Sequence, residues 1–182
     1  MLGMQKNKIQ NLTLIALMSA ILCIVGPITI MIGIVPMSFA NMAIYLNIIL
    51  LDKKQAVKST AIYLLIGFTG IPVFSGFSGG AGKLFGPTGG YLIGYLFLCW
   101  IAGTILEKMK DEKRNFKQIW ALGIGTIGVY FFGTVWLMYQ SNFTFVESFS
   151  VGVFPFLIPD FIKIVAAVGL GDAIKKRMHS AL

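Results

Sequence analysis

The sequence predicts an all-α membrane protein, a bundle of six transmembrane helices with both termini in the cytoplasm. Three observations favour this fold class. The 182 residues are 57% hydrophobic and only 12% charged, with a mean hydropathy of +0.82, whereas a soluble domain carries about 25% charged residues. Six apolar segments follow one another, and most basic residues lie between them on what would be one side of a membrane. Residues 1–182 are expected to form a single membrane domain.

Proline, glycine and charged residues separate the predicted helices. The first apolar run exceeds the roughly 7 to 15 residues of a signal peptide, so we expect it to remain as the first span. Gly26 and Pro27 interrupt this run, and Pro72 ends the third span, which is short and is expected to be tilted or buried. A polar loop is expected over residues 140–150 and a charged turn over residues 107–117. The predicted spans cover residues 12–30, 37–51, 59–71, 87–106, 119–139 and a last segment that begins between Val153 and Pro159 and ends at Ile174.

The basic residues predict the orientation of the chain. An even number of spans places both termini on one side, and every lysine and arginine except Lys83 and Lys163 then lies on that side, which is therefore cytoplasmic. This anchoring role explains the net charge of +8 better than nucleic-acid binding does. Among the seven acidic residues, Glu147 and Asp160 lie away from the cytoplasmic side. Ionisable groups in or near a bilayer are costly and usually functional, although Glu147 is expected to be a solvated loop acid.

Residues 74–91, called the glycine segment below, contain the densest cluster of glycines and are predicted to form an external loop. Glycine permits close approach of the backbone to a ligand, and exposed N–H groups could bind a carboxylate beside Lys83. The run resembles a phosphate loop, but Phe77 stands where glycine is required and Leu84 where serine or threonine is required, which excludes nucleotide binding. Aromatic residues could form an apolar lid or could be ordinary interfacial residues: Phe74, Phe77, Phe85 and Tyr91.

Asp160 and Lys163 form the sharper candidate site. If Pro159 begins the last helix, Asp160 lies in the first turn, where the helix dipole favours a carboxylate, and Lys163 lies on the same face. The pair could bind a polar ligand or could form a self-satisfied ion pair that fixes the helix end. Asn41 and Asn47 could line the same pocket or could form hydrogen bonds between helices.

The remaining chemistry-bearing residues favour binding over catalysis. The single histidine, His179, lies in a basic tail, and Cys23 and Cys99 lie in separate apolar runs, so neither a metal site nor a disulfide framework is indicated. No cofactor is expected. A membrane enzyme that uses Asp160 and Lys163, or a purely structural membrane protein, are the competing interpretations.

The run Leu84-Phe85-Gly86-Pro87-Thr88-Gly89-Gly90-Tyr91, after Gly79-Gly80-Ala81, resembles the signature of the BioY family. These proteins are the biotin-specific substrate-binding subunits, or S-components, of energy-coupling factor transporters. The resemblance extends over the whole chain and implies a non-enzymatic protein of the cell membrane that binds biotin at its extracellular side and mediates its uptake. A transmembrane coupling subunit and two cytoplasmic ATPases are the implied partners. A related subunit for another small vitamin or a biotin precursor is the alternative.

The resemblance also implies roles for individual residues. Ala16 and Ala20 match an Ala-x-x-x-Ala motif that contacts the coupling subunit, and their spacing permits close helix packing. Asp160 and Lys163 match ligand contacts in the last helix. Some relatives carry asparagine where Ser78 is the nearest polar residue, and arginine where this chain has Leu92, so Lys83 becomes the candidate for the biotin carboxylate. The expected substrate-binding residues are Asp160, Lys163, Tyr91, Lys83, Ser78, Gly79, Gly80, Phe74 and Asn41.

Overall fold

The computed structural model describes residues 2–30, 35–108 and 114–180, with side chains described for residues 8–30, 35–108 and 115–177. The apolar connection at residues 31–34, residues 109–113 of the predicted charged turn and the side chain of His179 lie outside this part. The described helices are α1 (Leu2–Val25), α2 (Ala40–Leu50), α3 (Lys53–Phe68), α4 (Ala81–Leu84), α5 (Gly89–Lys108), α6 (Arg114–Ser141), α7 (Phe145–Gly152) and α8 (Leu157–Ser180), and the antiparallel strands are β1 (Thr29–Ile30) and β2 (Met37–Ser38).

Each of the six predicted apolar segments contains a helix, but the helices differ in length. Four stretches are long and apolar enough to cross a membrane: Lys8–Val25 in α1, Gly89–Lys108 in α5, Asn115–Ser141 in α6, and Phe145–Arg177, which combines α7 and α8. Helix α2 has 11 residues and α3 has 16, or about 16 and 24 Å at 1.5 Å per residue. Both are shorter than a straight crossing of a hydrocarbon core of about 30 Å requires.

Helix α2 lies at the centre of the bundle. It contacts α1, α3, α5 and α8, and its Ile44 and Tyr45 side chains are fully buried. A helix that is enclosed on all sides can be apolar around its whole circumference, which is the pattern of the α2 sequence. The polar side chains of Asn41 and Asn47 are therefore held inside the protein by α2.

Helix α1 ends where Gly26 and Pro27 predict an interruption. The last helical residue is Val25, and the Gly26 N–H donates to the Leu22 carbonyl at 2.8 Å. A Cβ atom at Gly26 would lie 2.6 Å from the Val73 carbonyl oxygen, so only glycine fits this contact without displacement. The tight junction brings the chain after α1 against the glycine segment.

The glycine segment, which is predicted to be an external loop, is anchored to other parts of the fold by hydrogen bonds. It contains α4 and an antiparallel bridge between Phe74 and Ser78. The Gly76 N–H donates to the Pro27 carbonyl at 3.1 Å, the Gly80 N–H to the Gly67 carbonyl at 2.7 Å, and Trp136 Nε1 to the Gly86 carbonyl at 2.9 Å. These bonds tie the segment to the end of α1, to α3 and to α6, so it closes one end of the bundle.

One predicted segment near the carboxyl end requires correction. The expected polar loop at 140–150 contains most of α7, which begins with a capping box in which Thr144 and Glu147 exchange hydrogen bonds. Helix α8 begins at Leu157, within the predicted range from Val153 to Pro159. Asp160 lies in the first turn of α8, as the sequence predicts.

Candidate ligand-binding site

Asp160 is the centre of a buried polar network. Asp160 is only 2% exposed, and its carboxylate accepts three hydrogen bonds from donors on three helices. The donors are Asn41 Nδ2 of α2 at 3.1 Å, the Tyr130 hydroxyl of α6 at 2.8 Å, and Lys163 Nζ, one turn along α8, at 3.1 Å. Since a buried carboxylate is stable only when it is paired and hydrogen-bonded, these donors together explain how the charge is tolerated.

Lys163 connects Asp160 to the junction between α1 and α2. In addition to its ion pair with Asp160, its Nζ donates to the Ser38 carbonyl at 2.9 Å, and it lies 5.8 Å from the centroid of the Phe39 ring. The Ser38 hydroxyl in turn donates to the Gly26 carbonyl at 2.9 Å. An ammonium group has three N–H donors, and among the described residues two are used, so one remains for a ligand.

Asn41 extends the network to α5. The Tyr95 hydroxyl donates to Asn41 Oδ1, while Asn41 Nδ2 donates to Asp160. The amide thus has a fixed orientation, with oxygen toward Tyr95 and nitrogen toward Asp160. The network as a whole spans α2, α5, α6 and α8, and it combines one carboxylate, one ammonium, one amide and two phenolic hydroxyls.

This network forms one wall of a partly open cavity, whose space of about 380 Å³ includes open solvent. A second partly open cavity, of about 340 Å³ by the same measure, adjoins it. Both are lined by Val35, Pro36, Ser38, Tyr91 and Tyr95, so the two cavities share walls and form two neighbouring parts of one site. The first part is further lined by Asn41, Val129, Tyr130, Gly152, Phe156, Asp160 and Lys163. An apolar and aromatic cleft with a few converging polar groups is typical of a small-molecule site.

The structure brings together four of the predicted binding residues: Asn41, Tyr91, Asp160 and Lys163 all line the first part of the cavity. The Tyr91 ring packs over Gly133, and its hydroxyl donates to the Gly152 carbonyl at 3.2 Å. Because the hydroxyl is held in this way, the ring forms a fixed aromatic side of the cavity. The ring also lines both parts of the space, as an aromatic wall for a ligand would.

The other predicted binding residues lie elsewhere in the described structure. Phe74 is fully buried and packs edge to face on Tyr63, and the Ser78 hydroxyl donates to the Ser75 carbonyl at 2.8 Å. Lys83 lies on α4, where burial lowers the pKa of its amino group. None of these three residues, nor Gly79 or Gly80, is among the described residues that line either cavity. Their contact with a ligand stays a prediction.

Several site residues were not predicted from the sequence. Tyr95 follows Tyr91 by four residues, so both lie on one face of α5, and this spacing could have identified it. Tyr130, Ser38 and Tyr63 reach the cavity from three different elements. No motif connects them, because their proximity is created by the packing of the helices.

Ala16 and Ala20 lie on the exposed side of α1, as a partner-binding face requires. Ser19, between them in sequence, points inward, where its hydroxyl donates to the Ser59 carbonyl of α3 at 3.1 Å. The two alanines therefore belong to a different side of α1 from the residues that hold it to the bundle. They leave a shallow surface on which another helix could pack closely.

Comparisons with known proteins agree with this architecture. The sequence model of the BioY family matches residues 3–180. The chain is 34% identical over 174 residues to the biotin transporter BioY2 of Lactococcus lactis subsp. cremoris, covering 94% of this chain and 93% of that protein. It is 35% identical over 156 residues to the biotin transporter BioY of Thermotoga maritima, covering 85% and 90%.

A solved structure gives the same result. The crystal structure of the S-component for biotin from an ECF-type ABC transporter is similar to this chain with a TM-score of 0.87 and 32% identity, covering 94% of this chain and 93% of that one. Four stretches of this chain are long and apolar enough to cross a membrane, and its relatives are named as transporters. Together with the structural match, these findings indicate a multi-pass membrane protein with the S-component fold. The chain belongs to the BioY family.

Proposed function

We propose that this chain is the membrane subunit that binds biotin and mediates its uptake. The observation that carries the proposal is the buried network of Asn41, Asp160 and Lys163 at the wall of a partly open cavity. Relatives similar over nearly the whole chain are named biotin transporters, which supports a role in transport over an enzymatic one. The polar groups of the cavity supply the chemistry for the proposed binding of biotin.

The ureido ring of biotin matches this network. The ring offers two N–H donors and one carbonyl acceptor, and the site offers a carboxylate that accepts and an ammonium and an amide that donate. In the proposed pose, an N–H of the ureido ring donates to Asp160, and its carbonyl accepts from Lys163 or Asn41. The Tyr91 and Tyr95 rings then flank the apolar thioether ring. Charge-assisted bonds in a site of low dielectric make this end of the ligand the stronger anchor.

Active transport by this chain would require further protein subunits. The glycine segment does not have the residue spacing of a phosphate loop, which supports a role for a separate pair of ATPase subunits. A transmembrane coupling subunit would connect these subunits to this protein. The exposed faces of Ala16 and Ala20 on α1 are the proposed contact with the coupling subunit. Small residues at a helix interface in a membrane allow the backbones to approach closely.

The proposed orientation in the cell membrane has six crossings with both termini in the cytoplasm. Lys53, Lys54 and Lys58 at the beginning of α3 lie on the same side as the basic ends of α1 and α8 in this arrangement. Helices α2 and α3 would cross together with the short segments that flank them. Labelling of single cysteines with a membrane-impermeant maleimide, in a chain without Cys23 and Cys99, tests the orientation. Lys83→Cys should react in intact cells and Lys54→Cys only after permeabilisation; the reverse pattern would contradict the topology.

Binding is tested with the protein purified in detergent. Denaturation followed by mass spectrometry of the supernatant should release biotin, and biotin added to ligand-free protein should raise the thermal unfolding midpoint. Riboflavin and thiamine serve as controls that lack the ureido ring, and dethiobiotin tests a precursor that keeps it. Recovery of no biotin together with no thermal shift would refute the proposal, and a larger shift with dethiobiotin would assign the site to the precursor.

A further inference from the structure

The Tyr63 hydroxyl is a buried polar group without a partner in the described part of the chain. Tyr63 of α3 is fully buried, and its hydroxyl makes no hydrogen bond there. Its ring is held by an edge-to-face contact with Phe74, with ring centroids 5.5 Å apart. Because a buried hydroxyl is expected to find a partner, an unpaired one at a cavity indicates a group that binds there.

Tyr63 is one of the residues that line the second part of the site. Tyr63 lines that part together with Ser75 and Thr88, and the described residues around it include no charged side chain. The first part of the site, by contrast, is lined by Asp160 and Lys163. A Cβ atom at Gly26 would lie 2.7 Å from the Tyr63 hydroxyl, so the hydroxyl packs closely against the end of α1. The two parts of the site thus differ in chemistry, because the first contains an ion pair and the second contains hydroxyl groups.

We propose that Tyr63, with Ser75 and Thr88, receives the carboxylate of the ligand; this inference rests on the proposed binding of biotin. If the ureido ring lies against Asp160, the opposite end of the molecule extends toward Tyr63. The negative charge of Asp160 disfavours a second carboxylate nearby, and the charge of Lys163 is already matched by Asp160. Hydroxyl groups that donate to a carboxylate form short, charge-assisted hydrogen bonds. In this proposal the carboxylate of the ligand is bound by hydroxyl donors and not by a positively charged side chain.

This proposal replaces Lys83, the candidate from the sequence, as the group that binds the biotin carboxylate. The described cavity walls contain Tyr63, Ser75 and Thr88 but not Lys83, and burial already disfavours the charged form of Lys83 by lowering its pKa. Lys83→Ala is therefore expected to change the affinity for biotin by less than about threefold, because Lys83 is not among the described residues that line the site.

The test compares Tyr63→Phe with the native protein on two ligands, biotin and its methyl ester. Tyr63→Phe removes the hydroxyl and keeps the ring, so biotin should bind about 10- to 100-fold more weakly, as expected for loss of a hydrogen bond to a charged group. The ester carries no charge at that end, and its affinity should change less than about threefold. Calorimetric titration in detergent measures both. An unchanged affinity for biotin, or an equal loss for both ligands, would overturn the inference.

Tyr45→Phe provides the matched control. The Tyr45 hydroxyl is also buried, but it lies 2.8 Å from Thr126 Oγ1, and Tyr45 is not among the residues that line either part of the cavity. This variant should unfold at lower temperature and bind both ligands as the native protein does. Ligand-free Tyr63→Phe should keep the native unfolding temperature, and a loss equal to that of Tyr45→Phe would mean that the hydroxyl is bonded within the protein, against the inference. If the native protein bound neither ligand, the proposed function itself would fail.

Discussion

Among single residues, Asp160 is a buried carboxylate that depends on the donors around it. It is buried in a membrane-crossing stretch and is stabilised by donors from α2, α6 and α8. Its pair with Lys163 could serve the fold alone or could serve a ligand, and the two roles predict different results when the charges are removed together. A buried ion pair replaced by neutral groups of similar size is often neutral or favourable for stability, whereas loss of one partner is costly.

Asp160→Asn should therefore be strongly destabilising, by about 3 to 5 kcal/mol, because it leaves Lys163 buried without its counter-ion. Asp160→Asn combined with Lys163→Met should recover much of that loss but should not recover biotin binding. Thermal unfolding and biotin titration in detergent measure the two effects. Glu107→Gln is the control: it breaks the more exposed 2.9 Å ion pair with Lys53 and should cost less than about 1 kcal/mol. If the double variant bound biotin with native affinity, the Asp160–Lys163 pair would serve only the stability of the fold.

Among the structural elements, the closeness of α5, α6 and α7 determines where Tyr91 points. The Tyr91 ring lies against Gly133 of α6, where an added Cβ would overlap it, and its hydroxyl bonds the last residue of α7. Gly123, also on α6, has no atom within 4 Å of an added Cβ. The two glycines of one helix thus have different roles, and the difference can be measured.

Gly133→Ala should displace the Tyr91 ring from the cavity wall. We expect a lower unfolding temperature and an affinity for biotin reduced by about tenfold, since an overpacked contact costs about 1 to 3 kcal/mol. Gly123→Ala is the matched control, and it should raise stability by up to about 1 kcal/mol through helix propensity, with native affinity. Equal behaviour of the two variants in thermal unfolding and titration would show that Tyr91 is not positioned by Gly133.

The sequence predicted the elements better than it predicted their contacts. Apolar runs and the breaks at Pro27 and Pro72 located the helices, because these signals are local. The Asp160–Lys163 pair was also predictable, since both residues lie one turn apart on one helix. Helix α7 was missed although Thr144 and Glu147 have the spacing of a capping box.

Contacts between distant elements carry no such local signal. Tyr130 meets Asp160 from a position 30 residues away, and Asn41 from one 119 residues away. The glycine segment presents a related case. Its composition predicts an external loop, and hydrogen bonds to Pro27, Gly67 and Trp136 fix this segment in the fold. These partners lie in other elements, so only the packing of the whole chain reveals them.

At the scale of the whole molecule, the ligand site and the proposed partner surface are separate. The cavity lies among α2, α5, α6 and α8, while Ala16 and Ala20 lie on the outer side of α1. Polar contacts from Ser19 to Ser59, and from Asn47 to Thr60 and Ala56, hold α1, α2 and α3 together between them. Binding of biotin and assembly with a coupling subunit should therefore be separable by substitution.

Ala16→Trp combined with Ala20→Trp should block assembly and leave biotin binding intact. Two indole rings on the exposed side of α1 prevent the close approach of a partner helix but do not reach the cavity. Co-purification with the coupling subunit, followed by biotin titration of the isolated variant, measures both properties. Phe131→Trp is the control, because it places an indole on an exposed position of α6 that is 69% accessible. It should assemble and bind as the native protein does. Loss of biotin binding in the alanine variant would mean that this side of α1 helps to form the site, and full assembly would place the coupling surface elsewhere.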